Sequence, residues 1–188
     1  TLDQHALSRL LPESEYVESH GRSYPVEHRY VPPKPNERLE DQMAKQISAL
    51  MSGESGSLLA FLPGVAAIKR VEERLQQLTS DIQVCPLYGQ LDFSQQQAAI
   101  QPVASGQRKV VLATNIAETS LTIEGIRLVV DCGYERVAKF DLKSGVTRLE
   151  QTRIAQSSAE QRSGRAGRIE PGICVRLYSE GQLAQQPY

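Results

Sequence analysis

Eight residues late in the chain, Gln161-Arg162-Ser163-Gly164-Arg165-Ala166-Gly167-Arg168, bring three arginines and two glycines together. Guanidinium forks match the oxygens of phosphate and carboxylate groups, and glycine lets a partner come close to the backbone. The chemistry this suits is contact with a polyanion, phosphate first of all. Continued as a helix, the run sets Gln161, Arg165 and Arg168 at i, i+4 and i+7, one neutral amide and two permanent cations on a single stripe with Gly164 beside it. Each interior glycine costs a helix about 1 kcal/mol relative to alanine, so a plain solvated helix has little reason to hold two. A flexible Arg/Gly segment is the competing reading. Such segments sit among low-complexity repeats, whereas this run is bracketed by ordinary globular sequence.

A second candidate is Thr114-Asn115-Ile116-Ala117-Glu118-Thr119-Ser120-Leu121-Thr122-Ile123-Glu124-Gly125. It follows an apolar stretch and is dense in hydroxyls and amides, which satisfy phosphate and ribose oxygens without selecting a base. The bland alternative is a loop whose polar groups cap its own backbone. No G-x-x-x-x-G-K-[ST] loop is present, and no acidic pair after a strand reads as a magnesium site. Arginines without a phosphate cradle act on a nucleotide held elsewhere, as an arginine finger does.

These residues need a scaffold, and the hydrophobic pattern supplies one. After a mixed opening with Leu2, Leu7, Leu10 and Leu11 ahead of Pro12, Tyr24 to Val31 reads as extended and is closed by prolines. Asn36 reads as the N-cap of a helix carrying Leu39, Met43, Ile47 and Leu50. Strands over Leu58–Leu62, Ile82–Leu87, Lys109–Ala113, Arg127–Cys132 and Ile173–Tyr178 alternate with helical stretches from Val65 and over Ser94–Ile100. Strands apolar on both faces with helices between them predict a parallel α/β sheet covered on both sides, with ligands outside the carboxyl ends of the strands. Arg136–Phe140 and Val146–Glu150 flank Lys143-Ser144-Gly145 and predict an inserted β-hairpin. The arginine helix follows from about Ser158.

Composition narrows the partners. Lys+Arg number 21 against 22 Asp+Glu in 188 residues, so contact with nucleic acid must be local rather than driven by bulk charge. Trp is absent and Phe numbers 3, which leaves few platforms for base stacking. Cys85, Cys132 and Cys174 lie far apart in apolar stretches and read as reduced core residues; with His5, His20 and His28 they show no metal-ligand spacing. No apolar run approaches a membrane span and no leader pattern opens the chain, so the expected setting is the cytoplasm.

QRSGRAGR, preceded by TNIAETSLTIEG, LVVDCG, LLAFLPG and PLYGQL, closely resembles the second RecA-like domain of superfamily 2 helicases of the DEAH/RHA group. The resemblance covers nearly the whole chain. It implies a RecA-like parallel sheet over residues 21–188, preceded over 1–20 by the end of the first RecA-like domain and a linker, with Thr1-Leu2-Asp3 similar to the close of that domain's Ser-Ala-Thr motif. It further implies ATP with Mg²⁺ as cofactor, bound mainly by the first domain. Arg165 and Arg168 would be the arginine fingers and Gln161 would place the attacking water. Gly164, Glu124, Ser120 and Thr122 would border the nucleotide, and Thr114, Asn115 and Gly89 would touch the backbone of single-stranded RNA or DNA. Ile100 stands where many relatives carry a phenylalanine that stacks on adenine, which implies weak selectivity for the base. With the Walker A lysine and the Asp-Glu-Ala-His motif missing, the isolated fragment is expected to be inactive. A catalytically silent nucleic-acid-binding or protein-docking module, and a nucleotide-binding regulatory domain, are the alternatives.

Overall fold

Five short apolar runs and the more polar extended segment at Val26–Tyr30 become six parallel strands. The computed structural model describes residues 24–188; the expectations for residues 1–20 and for the leucines before Pro12 lie outside them. The strands are β1 (Val26–Tyr30), β2 (Ser57–Phe61), β3 (Ile82–Leu87), β4 (Arg108–Ala113), β5 (Ile126–Asp131) and β8 (Gly172–Arg176), ordered β1-β8-β5-β2-β4-β3. Every pairing in this sheet is parallel. β6 (Tyr134–Phe140) and β7 (Thr147–Arg153) form the antiparallel hairpin outside it, turning at Gly145, whose φ of +69° is a left-handed value that glycine adopts without strain.

Both faces of the sheet are covered, as their apolar character requires. On one, α1 (Leu39–Gly53) and α2 (Val65–Arg74) pack Met43, Ile47, Leu50, Ile68 and Val71 against Leu58, Val110, Leu128 and Val175. On the other, Leu59, Phe61, Val111, Val129 and Cys174 meet Ala99 of α3 (Phe93–Ile100) and Ala117 of α4 (Ile116–Thr119). α5 (Gln156–Ser163) also lies on this face, and α6 (Glu180–Ala184) follows β8. Among the described residues no helix is long and apolar enough to cross a membrane.

Two sequence expectations fail. α1 begins at Leu39 with Arg38 as its N-cap, and Asn36 sits two residues earlier at φ +67°. Asparagine tolerates the left-handed region as well as it caps helices, and here the turn uses the first property. The arginine helix stops at Ser163, so Gln161, Arg165 and Arg168 do not share a helical stripe. Gly167 has φ +70°, and a Cβ there would stand 2.6 Å from Val26 Cγ2 and 2.7 Å from the Tyr24 carbonyl. The entry to β1 crosses at this point, with Tyr24 N donating to Gly167 O at 2.7 Å. Gly167 serves an approach inside the domain, and the helix has already ended at its cap, Gly164.

Consecutive residues of β4 point to opposite faces, and each closes a helix. Arg108 donates to the carbonyls of Met51 at 2.8 Å, Glu54 at 2.6 Å and Gly56 at 2.8 Å, capping the C-terminal end of α1. Lys109, 1% exposed, donates from Nζ to Ala99 O at 2.7 Å and Gln101 O at 2.6 Å, capping α3. Cations complement helix C-termini. Lys109→Met keeps the aliphatic packing and removes the ammonium; it is expected to cost about 2 kcal/mol in urea denaturation, because charge-assisted bonds to buried carbonyls are lost.

Burial pushes the thiols of Cys132 and Cys174 up to about 12 and raises that of Cys85. All 3 cysteines are free and buried. An aromatic disulfide reagent at about pH 8 is expected to modify none of them in the folded chain and all of them after unfolding, since the thiolate is the reactive form.

Candidate functional site

Because all six strands run the same way, the segments after β2, β3, β4 and β5 leave from one edge of the sheet. Backbone bonds continue the ladder past the strand ends and hold these segments in place: Leu62 N donates to Ala113 O at 2.7 Å, Thr114 N to Leu87 O at 3.3 Å and Cys132 N to Phe61 O at 3.2 Å. Thr114 is half-buried and Asn115 exposed. Asn115 occupies the N-cap of α4 but makes no side-chain cap bond, so its amide does not serve its own backbone in the way the bland reading required. Gly89, exposed after β3, would meet nothing within 4 Å if it carried a Cβ. The domain's own packing does not demand glycine there.

The hairpin root leans over the turn after β2. A Cβ on Gly64 would lie 2.9 Å from Cδ of the exposed Arg136 side chain. Ser120, Thr122 and Glu124 are exposed on the segment that returns from α4 to β5, and Glu124 N reaches Ile100 O at 3.4 Å. Ile100, half-buried, is the last residue of α3.

The arginine segment lies on the same side of the domain as the Thr114-Asn115 turn. Gln161 is half-buried in the last turn of α5. Arg165 N donates to Arg162 O at 3.2 Å, and Arg165 Nη2 donates to the Glu118 carbonyl, three residues beyond Asn115. Gly164 caps α5 and its carbonyl accepts from Arg168 Nε at 3.3 Å. Arg168 is exposed. Among the described residues neither Arg165 nor Arg168 forms an ion pair. Arg165 Nε is buried without a hydrogen-bond partner. Burial lowers the Arg165 pKa, the charge of Arg168 lowers it further, and Glu118 opposes both. Two neighbouring guanidiniums that repel each other, one with an orphaned donor, favour an anion from outside the domain. Among the described residues no three metal-ligating side chains come together.

Sequence reasoning assigned no role to the first arginine of the run. Arg162 is 0% exposed and paired with two carboxylates, Glu118 Oε1 at 2.7 Å from Nε and Asp131 Oδ1 at 2.8 Å from Nη1. Burial works against its charge, but Asp131, Cys132 and Glu118 raise its pKa above the ordinary arginine value. Asp131 is held in turn by Gly133 N at 2.8 Å and the Tyr178 hydroxyl at 2.9 Å. One signal was available: the acid of LVVDCG follows the apolar run Leu128-Val129-Val130 at a strand end, and a buried carboxylate needs a cation.

A doubly covered parallel sheet with an inserted hairpin and an arginine segment beside its loop edge defines a RecA-like helicase module, and residues 41–170 match the family described as helicase conserved C-terminal domain. The chain belongs to that family and is of the DEAH/RHA type. It is similar to the ATP-dependent RNA helicase HrpB of Escherichia coli strain K12, with 55% identity over 183 residues that make up 97% of this chain and 23% of that protein. The ATP-dependent RNA helicase HrpA of the same organism is 38% identical over 195 residues, 100% of this chain and 15% of that protein. A crystal structure of the Escherichia coli DEAH/RHA helicase HrpB matches with a TM-score of 0.86 at 54% identity, covering 100% of this chain and 24% of that one. The chain thus spans less than a quarter of the length of these relatives.

Proposed function

We propose that residues 21–188 are the second RecA-like domain of an ATP-dependent nucleic-acid helicase of the cytoplasm, and that residues 1–20 link it to a first RecA-like domain in the same polypeptide. The observation that carries this reading is the pair Arg165 and Arg168, two guanidiniums that form no ion pair among the described residues, on the side of the Thr114-Asn115 turn. They reach the γ-phosphate of an ATP whose magnesium and phosphate cradle belong mainly to the first domain, and Gln161 places the attacking water. The nucleotide supplies the phosphoryl group whose charge the arginines stabilise as it transfers. Gly164, with no side chain, leaves room for that approach; Ser120, Thr122 and Glu124 border the nucleotide.

Asn115, Thr114 and Gly89 contact the backbone of a single strand, with the hairpin beside it. ATP draws the two domains together across the arginines and hydrolysis releases them, which shifts the grip on the strand. Ile100 offers no ring for stacking, so the enzyme accepts other nucleoside triphosphates about as well as ATP. The reading is tested by ATPase assays of the full-length protein with and without single-stranded RNA or DNA. Hydrolysis raised by nucleic acid is expected, with no significant turnover by the isolated domain; a silent binding module gives no hydrolysis in either condition.

A further inference from the structure

Arg162 takes part in none of the contacts proposed above, yet it is the largest of the fully buried side chains among the described residues. Its guanidinium meets four segments at once. Nε reaches Glu118 Oε1 on α4 at 2.7 Å, Nη1 reaches Asp131 Oδ1 at the end of β5 at 2.8 Å, and Nη2 donates to the Tyr134 carbonyl, where the hairpin begins, at 3.2 Å. Its Cζ lies 4.9 Å from the centroid of the Phe61 ring, at the end of β2. Each of these points is the root of a segment at the loop edge of the sheet.

Apart from Arg162, α5 is held by polar contacts at its rim: Arg176 Nη2 donates to the Ala159 carbonyl at 3.3 Å, and Gln156, Ser157 and Glu160 bond to residues 184–188. Its buried residues are Ala159, Arg162 and Ser163, so no apolar stripe fixes its position on the sheet. Apolar contacts tolerate sliding, whereas a planar fork with directed donors accepts one placement. The finger segment is tied to this point twice, through Arg165 N on Arg162 O at 3.2 Å and through Arg165 Nη2 on the carbonyl of Glu118.

We propose that Arg162 is a positioning residue that joins the finger segment, the loop after β4 and the hairpin root into one rigid unit, so that nucleic acid held by the loop and the hairpin also orients Arg165 and Arg168. This rests on the reading of those two arginines as phosphate ligands. With the joint intact, a strand that aligns the domain aligns its fingers. With the joint weakened, the two halves move separately and nucleic acid no longer accelerates hydrolysis.

The test is Arg162→Lys in the full-length protein, which keeps the charge but replaces a three-way fork with a single ammonium. The quantity to measure is the stimulation ratio, the ATPase kcat with saturating single-stranded RNA divided by kcat without it. Partial unfolding lowers both rates alike and leaves this ratio unchanged, so a merely structural role does not move it. The ratio is expected to fall about ten-fold, within the range of coupling between sites. An unchanged ratio in Arg162→Lys, with stimulation intact in the wild type, overturns the inference alone; a wild type without stimulation overturns both the inference and the reading beneath it. Should Arg162→Lys fail to fold, Glu118→Gln, which keeps the shape and weakens the hold on Nε, is measured in its place. A fall of about three-fold supports the joint, as expected for a residue that modulates coupling, and an unchanged ratio refutes it.

Discussion

Replacing Arg168 with alanine in the full-length protein is expected to lower nucleic-acid-stimulated ATP hydrolysis by about 10³-fold or more, the effect of withdrawing an arginine finger from phosphoryl transfer. Structure and chemistry separate cleanly at this position. Arg168 is exposed, and among the described residues its side chain makes one hydrogen bond, Nε to Gly164 O at 3.3 Å. Exposed substitutions of this kind change stability by about 0.5 kcal/mol or less. A large loss of kcat with an unaltered unfolding curve therefore belongs to the reaction. Arg168→Lys is expected to restore little, because an ammonium cannot present two parallel donors to a transferring phosphoryl group. Affinity for single-stranded RNA in the absence of nucleotide should stay near the wild-type value, since the strand contacts proposed above lie in other loops. Wild-type hydrolysis by Arg168→Ala would remove the finger role.

Asp131→Ala is the substitution expected to damage the fold most. It leaves Arg162 buried with Glu118 as its remaining carboxylate, and strips the Tyr178 hydroxyl and Gly133 N of their acceptor. Breaking a buried ion pair by removing one partner costs about 3–5 kcal/mol, because the other charge stays desolvated. In a domain of this size that lowers the unfolding midpoint by about ten degrees or more. The loss should be nearly the same at low and high salt, since a pair sealed from solvent is little screened. Asp131→Asn retains an acceptor oxygen for Gly133 N and turns an amide N–H toward the Tyr178 hydroxyl oxygen, and should lose less. Equal melting of wild type and Asp131→Ala would mean that the network does not hold α5 on the sheet.

The contrast between these two acts on one short segment. Arg162 and Arg168 belong to the same eight-residue run, and composition does not distinguish them. One is sealed at 0% exposure and the other lies open to solvent. What separates them is the end of α5 at Ser163 and the left-handed backbone of Gly167, which turn the chain before Arg168 is reached.

Local pattern was enough for the strands, the helices α1, α2 and α3, and the hairpin, because each rests on a hydrophobic period or a turn glycine contained in a short window. Leu58, Val110, Leu128 and Val175 are buried because apolar runs flanked by helices have nowhere else to go. The same windows placed Thr114, Asn115, Gly89 and the arginine segment near one edge, since in a parallel sheet chain direction alone dictates which loops gather there. They misread Asn36, whose side chain suits a cap and a left-handed turn equally. They also carried the helix through two glycines.

By itself the sequence determined the class of the fold, the family, and the stock of charged groups at the loop edge. Only the tertiary structure decided which arginine is sealed in ion pairs, which is half-buried and which faces solvent, because the partners of Arg162 lie 31 and 44 residues away along the chain, and Lys109 was assigned to α3 in the same way through carbonyls at Ala99 and Gln101. A buried charge is stable only where folding brings its counter-charges to it, and no stretch of chain shorter than the domain contains that information.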